Sequence, residues 1–194
     1  MMARPPAQAD SILDGARRAL DRYGWREATL ERIAVEAGLS RVTLHRRGLT
    51  KETILGQLAA EAEASYRERI WPALTSEGDG RQRLGMALET ICNLAEENLN
   101  LLLALDGEAN ARVFHEPGQD EALTRNVFTE PLERLLRDGE VDGSLRPSEP
   151  LETATVLFNS VAWTSIHLRS GHRWSPERAR SSTVALILRG VVSL

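Results

Sequence analysis

The sequence predicts an all-α protein: a three-helix N-terminal head on a larger helical body, about nine helices in all. Three observations carry that expectation. Apolar residues recur at i, i+3, i+4 and i+7 through nearly the whole chain of 194 residues. No stretch alternates with the two-residue period of a strand, and no repeat or low-complexity tract interrupts the helical pattern. Glycine and proline punctuate the gaps between the periodic segments, as at Gly24, Gly38, Gly78 to Gly80 and Pro117-Gly118.

Residues 1–9 read as a frayed arm, in which Arg4 offers a phosphate contact as the alternative. The first helix starts near Asp10 or Ser11, either of which can cap it. Its buried stripe is Ile12, Ala16, Ala19, Leu20 and Tyr23, and Gly24 stops it. Trp25 should pack beneath the next helix. Thr29 caps that helix, where Leu30, Ile33, Ala34 and Ala37 share a face. Gly38 suits the left-handed conformation that ends a helix, and Leu39 follows as an apolar plug. Ser40 caps a short helix of about Ser40 to Arg47. Among its apolar residues only Val42 and Leu44 appear; the rest are Arg41, Thr43, His45, Arg46 and Arg47. So few core residues and so many donors suit contact with an acidic surface. The pattern is a helix-turn-helix whose second helix fits the DNA major groove. A further helix starts at Thr50.

The run Gly24-Trp25, Thr29, Ile33-Ala34, Ala37-Gly38-Leu39-Ser40, Thr43-Leu44 and Thr50-Lys51-Glu52 resembles the N-terminal DNA-binding domain of TetR-type transcriptional regulators. The likeness spans roughly the first 55 residues; beyond them the chain agrees with the family in size and helical character. It implies a DNA-binding domain over 1–52 and a ligand-binding and dimerisation domain over 53–194. It also implies a homodimer through the two C-terminal helices, an operator of two half-sites and release from DNA by a small-molecule effector. The chain departs from the pattern at Gly48-Leu49, where the family commonly has an aromatic residue followed by proline. Gly48 is a natural C-terminal cap, and Leu49 is the replacement anchor for the recognition helix.

In the body, Ile54, Leu55, Leu58, Ala62, Ser65, Tyr66 and Ile70 define a long helix that should end at Trp71-Pro72. The next runs from about Arg81 to Asn100, and Leu99 to Leu105 is apolar on nearly all sides, which predicts deep burial. Residues 114–118 are a break. A helix of about Asp120 to Asp138 carries Pro131 inside it and should kink there. Asp138 to Leu145 reads as a loop. The last two helices, about Ser148 to Ser170 and Ser175 to Val192, have apolar residues on more than one face. Such excess apolar surface calls for a partner.

Charge is unevenly spread. Residues 1–50 hold nine Arg, no Lys and six acidic residues, so 9 − 6 = +3; the remainder holds 15 basic and 22 acidic residues, so 15 − 22 = −7. From Gly38 to Lys51 there are four basic residues and no acidic one. A basic head on an acidic body steers one end towards phosphates. A single Cys92 excludes a disulfide framework, no apolar run is long enough to span a bilayer, and the N-terminus has no signal-peptide core; the expected location is the cytoplasm.

Candidate DNA contacts are Thr29, Ser40, Arg41, Val42, Thr43, His45, Arg46, Arg47 and Lys51. Arg41 reaches a base edge or a phosphate, Val42 and Thr43 a thymine methyl or a phosphate, and Arg46 reads guanine bidentately. His45, where the family has tyrosine, still donates to phosphate. Lys51 grips the backbone. Thr29 either caps only or also reaches a phosphate. Candidate ligand contacts are Asn98, Phe114, Phe128, Asn159, Trp163 and His167, with Asn93 and Thr155 behind them. Asn159, Trp163 and His167 form one stripe that faces either a cavity or the dimer partner. No nucleophile elbow, phosphate loop or dinucleotide fingerprint is present, and no metal or cofactor is expected. The rival reading is a helical binding or catalytic protein with a vestigial head.

Overall fold

The computed structural model describes residues 7–105 and 126–191. The elements, in order, are α1 (Ala7–Glu27), α2 (Leu30–Glu36), α3 (Arg41–Arg46), α4 (Lys51–Thr75), α5 (Gly80–Glu97), α6 (Leu99–Ala104), α7 (Asn126–Asp142), α8 (Pro150–Ser170) and α9 (Pro176–Val191). No strand occurs among the described residues. The chain divides into two compact units: Met1–Glu63 with Asn100–Asp106, and Ala64–Leu99 with Gly107–Leu194. The division therefore falls inside α4, eleven residues beyond the boundary expected at residue 52.

In the first unit α1 is broken at Gly24, whose φ is 69°. Ile12, Leu13, Ala16, Ala19 and Leu20 are its buried face; Tyr23 is only half-buried and turns its hydroxyl to Glu36 Oε1 at 3.3 Å. The helix begins at Ala7, ahead of the expected caps. Gly15 allows α1 to meet the end of α2: a Cβ there would lie 2.6 Å from that of Ala37. Asn100 ties α6 to the same unit by donating to Asp21 Oδ1 at 2.9 Å.

Several boundaries differ from expectation, each for a local reason. α4 passes through Pro72 and ends at Thr75. Pro72 has no N–H to give the Glu68 carbonyl, but both residues are exposed, where water satisfies that oxygen. At 25 residues α4 is about 38 Å long. The helix expected over Arg81 to Asn100 stops at Asn98, which donates through its backbone and side chain to the Leu94 carbonyl at 3.0 and 2.9 Å. In the segment expected to be buried on nearly all sides, Leu101, Ala104 and Leu105 are buried, but Leu103 is 47% exposed.

The loop expected over Asp138 to Leu145 is largely helix, because α7 continues to Asp142. Gly139 belongs to a close helix crossing: a Cβ on Gly80 would lie 2.2 Å from Gly139 Cα, and one on Gly139 2.4 Å from Leu145 Cδ1. The end of α7 also caps α5. Asp142 Oδ2 accepts from Gly80 N at 2.6 Å and Ser144 Oγ from Arg81 N at 3.1 Å. Asp79 and Gln82 complete a reciprocal capping box. Pro131 lies inside α7 as expected.

The core of the second unit is built from the C-terminal part of α4 together with α5, α7 and α8, with α9 packed on α5 and α8. Leu84, Leu88, Leu132, Leu135, Leu136 and Val161 are among its fully buried residues. Tyr66, Phe128 and Phe158 form an aromatic cluster inside it, with Phe128 and Phe158 stacked at 4.8 Å. The Tyr66 hydroxyl donates to the Phe128 carbonyl at 2.8 Å. No helix among the described residues is long and apolar enough to cross a membrane.

Candidate nucleic-acid interface

The turn between α2 and α3 is fixed by backbone chemistry. Gly38 takes φ 67°, Gly38 N bonds to Val35 O at 3.0 Å, and Leu39 N reaches back to Ala34 O at 2.8 Å. This closes the end of α2 and turns the chain into α3. The same device closes α3: Gly48 has φ 68°, Gly48 N bonds to His45 O at 2.9 Å, and Leu49 N to Leu44 O at 3.1 Å. Leu49 is half-buried, so the Gly48-Leu49 exit holds by backbone bonds and a partial apolar anchor.

Both helix starts are capped as the sequence suggests. Thr29 Oγ1 accepts from Arg32 N at 3.3 Å, and Ser40 Oγ from Thr43 N at 3.1 Å. Ser40 Oγ also lies 2.9 Å from Thr43 Oγ1. At α4, Thr50 and Thr53 bond reciprocally, with Thr50 N to Thr53 Oγ1 at 2.8 Å and Thr53 N to Thr50 Oγ1 at 3.1 Å. Capping therefore occupies one acceptor of Thr29 and of Ser40, while each stays exposed.

One side chain holds α3 to the head: Leu44 is fully buried. With Leu44 turned inward, the helical period brings Arg41, Val42, His45 and Arg46 together on the exposed side. Val42 is 65% exposed, an apolar residue that the fold does not use. Thr43 and Arg47 flank the stripe and are half-buried.

Pairing separates Arg41 and Arg46 from four other arginines of the head. Arg17 pairs with Glu61 at 2.5 Å, Arg22 with Glu36 at 3.3 Å and Arg32 with Glu27 at 3.0 Å, and Arg18 donates to the Glu36 carbonyl. Among the described residues, Arg41 and Arg46 join no ion pair. Their field is uncompensated on a surface with no acidic residue from Gly38 to Lys51. Lys51 is different: its ammonium lies 3.8 Å from the Trp25 ring centroid and donates to the Trp25 carbonyl. Desolvation there lowers its pKa. Trp25 thus packs against the start of α4.

Residues 12–63 match the sequence model of the bacterial regulatory proteins of the tetR family. Over that N-terminal segment the chain is similar to TetR-family regulators. The match covers the head, and the fold extends the likeness to the rest. A transcriptional regulator of the TetR/AcrR family from Thermobifida fusca superposes with a TM-score of 0.71 at 19% identity, covering 96% of this chain and 98% of that one. A putative transcriptional regulator from Saccharomonospora viridis, in complex with choline, gives 0.74 at 20% identity, with 97% and 98% covered. The transcriptional regulator FadR from Bacillus subtilis, in complex with stearoyl-CoA, gives 0.71 at 16%, with 94% and 98% covered. No curated protein matches the sequence. The likeness fits the site, where Arg41 and Arg46 on the exposed side of α3 keep donors that no ion pair among the described residues takes up.

The ligand candidates do not converge. Phe128 stacks in the aromatic core, and Asn98 caps α5. Asn159 donates to the Thr155 carbonyl at 2.8 Å. Trp163 is 36% exposed and His167 is exposed, its ring 5.1 Å from that of His172. Phe114 lies outside the described residues. Asn93 alone of these lines the cavity of about 200 Å³ between α5, α8 and α9. Arg69, Cys92, Arg169 and Arg180 of that cavity were missed from sequence. They are spread over four helices, and no local spacing signals such a group.

Proposed function

We propose that this chain is a TetR-family regulator and acts as a homodimeric repressor whose two α3 helices enter successive major grooves of a two-fold operator. The observation that carries the DNA contacts is the exposed, uncompensated stripe Arg41, Val42, His45 and Arg46 beside the buried Leu44. Arg41 and Arg46 supply base-edge and phosphate donors, and Val42 offers its methyls to thymine. His45 donates to phosphate, as do Thr29, Ser40 and Thr43. Arg47 supports from the flank. Lys51 keeps spare N–H donors for a phosphate after its bond to Trp25.

The second copy joins through α8 and α9. Val156 is 62% and Leu186 72% exposed, with Trp163 on the same side of α8 as Val156 and half-buried Asn159. On α9, Ser182, Ala185, Leu186 and Arg189 follow at i, i+3, i+4 and i+7. A face of this kind supports an isologous four-helix contact. Dimerisation then sets the half-sites about 34 Å apart.

A small molecule bound in the second unit releases the DNA by favouring a dimer whose α3 helices no longer match successive grooves. Ligand-bound relatives of the same fold, one with choline and one with stearoyl-CoA, support this reading. Footprinting on the DNA upstream of the protein's own coding sequence tests the proposal. It should protect two half-sites one helical turn apart; protection of a single half-site or of none would count against it.

A further inference from the structure

We infer that the cavity between α5, α8 and α9 is an effector site for a small carboxylic acid, its carboxylate held by Arg180 and Arg69. The cavity has a volume of about 200 Å³ and lies wholly within the second unit. Its walls sort into three kinds of residue.

The first kind is already satisfied. Arg169 meets both oxygens of Glu96, Nε to Oε2 at 2.5 Å and Nη2 to Oε1 at 2.8 Å, and donates a third bond to the Trp174 carbonyl. The hydrogen bonds to the Glu96 carboxylate hold the Arg169 pKa above its usual value. A planar bidentate pair of this kind is a fixed wall.

The second kind is poised for exchange. Arg180 donates to Asn93 Oδ1 at 3.0 Å and pairs with Glu177; Arg69 pairs with Glu97. In both pairs the carboxylate is the more exposed partner: Glu177 71% against Arg180 33%, and Glu97 54% against Arg69 37%. Exposed ion pairs contribute little. An entering carboxylate can take either guanidinium while the displaced Glu side chain turns into water. The reverse exchange, a ligand cation taking Glu177 or Glu97, would strand the less exposed arginines.

The third kind is small and weakly polar. Ala95, Ile166 and Ala179 face the same space, and the Cys92 thiol lies 3.3 Å from the Ser165 hydroxyl. Among the described residues no aromatic side chain lines the cavity, so these walls offer no ring to hold a quaternary ammonium. The volume lies below that of pockets for drug-sized molecules. A short aliphatic acid fits the two exchangeable arginines and the small apolar wall.

The inference rests on the regulator reading for its consequence, release of DNA, but not for its test. Titration calorimetry on the full chain, without DNA, should find one saturable site for members of the straight-chain series from acetate to octanoate. The matching primary amides should not bind. Arg180→Gln should weaken binding at least tenfold. Asn93→Asp, which sets a competing carboxylate against Arg180 in the same shape, should do likewise and serves if Arg180→Gln does not fold. Saturable binding of alkylamines in place of the acids would overturn the proposal. So would affinity that both substitutions leave unchanged, or no saturable binding anywhere in the series. Carboxylate binding by a chain that fails to bind DNA would keep the site and remove only the regulator reading.

Discussion

Lys51 and Trp25 lock the start of α4 to the chain just beyond the Gly24 break. The ammonium sits 3.8 Å from the centroid of the indole ring and donates to the backbone carbonyl of the same residue. One side chain thereby satisfies a half-buried backbone carbonyl near the end of α1 and stacks on an aromatic face. Lys51→Met keeps the stem and removes both interactions. It should destabilise the protein by about 1 kcal/mol in chemical denaturation. Because Lys51 is also offered to phosphate, the same variant should weaken DNA binding uniformly across sequences and shallow the salt dependence by about one unit.

Arg46→Ala should lower affinity for the specific operator about tenfold or more while leaving non-specific binding nearly unchanged. Arg46 is exposed on α3 and pairs with no described residue, so the fold does not depend on it. Sedimentation should show the same oligomeric state as the parent. Unchanged specific affinity would mean that α3 presents a different side to DNA.

Leu186→Glu should dissociate the dimer. Leu186 is 72% exposed, so a glutamate costs the single chain nothing, but at a two-fold contact it places like charges opposite one another. Sedimentation should report a monomer, and operator affinity should fall steeply. A dimer that survives the substitution would move the interface away from α9.

Gly80→Ala should be costly although the change is one methyl group. Its Cβ would lie 2.2 Å from Gly139 Cα, a backbone atom that cannot rotate away. Separating α5 from α7 also disturbs the cap that Asp142 gives Gly80. The expected loss is about 2–3 kcal/mol in urea unfolding.

The buried Tyr66 phenol sets a limit at alkaline pH. Burial raises its pKa far above the usual value, so the folded chain keeps the proton that the unfolded chain loses above about pH 10. The contribution of Tyr66 is complete below that pH and is lost as pH rises beyond it. Tyr66→Phe should flatten this part of the stability profile. At neutral pH it should cost about 1 kcal/mol, since it removes the buried hydrogen bond to the Phe128 carbonyl.

What could be read from the sequence was local. Gly38, Ser40, Leu44 and Gly48 act through their own φ angles, caps and spacing, and each sits as its neighbours dictate. The extent of α4 was not legible: a proline in a helix is decided by whether the carbonyl it frees meets water, and that depends on the fold around Glu68 and Pro72. Gly139 likewise signals a loop until Gly80 of another helix is seen against it. Asn98 and Phe128 resemble pocket residues by composition, yet one caps a helix and the other stacks in the core. The cavity near Asn93 joins four helices, so its arginines carried no mark in the sequence.

Affinity for the chain's own upstream DNA, measured across a salt titration, tests the central claim most directly. A dimer presenting two copies of Arg41, Arg46 and their flanking donors should show a log–log slope of about −4 to −8. A random duplex of equal length should bind far more weakly at physiological salt. An affinity that does not change with salt, or is equal for the two duplexes, would contradict the account.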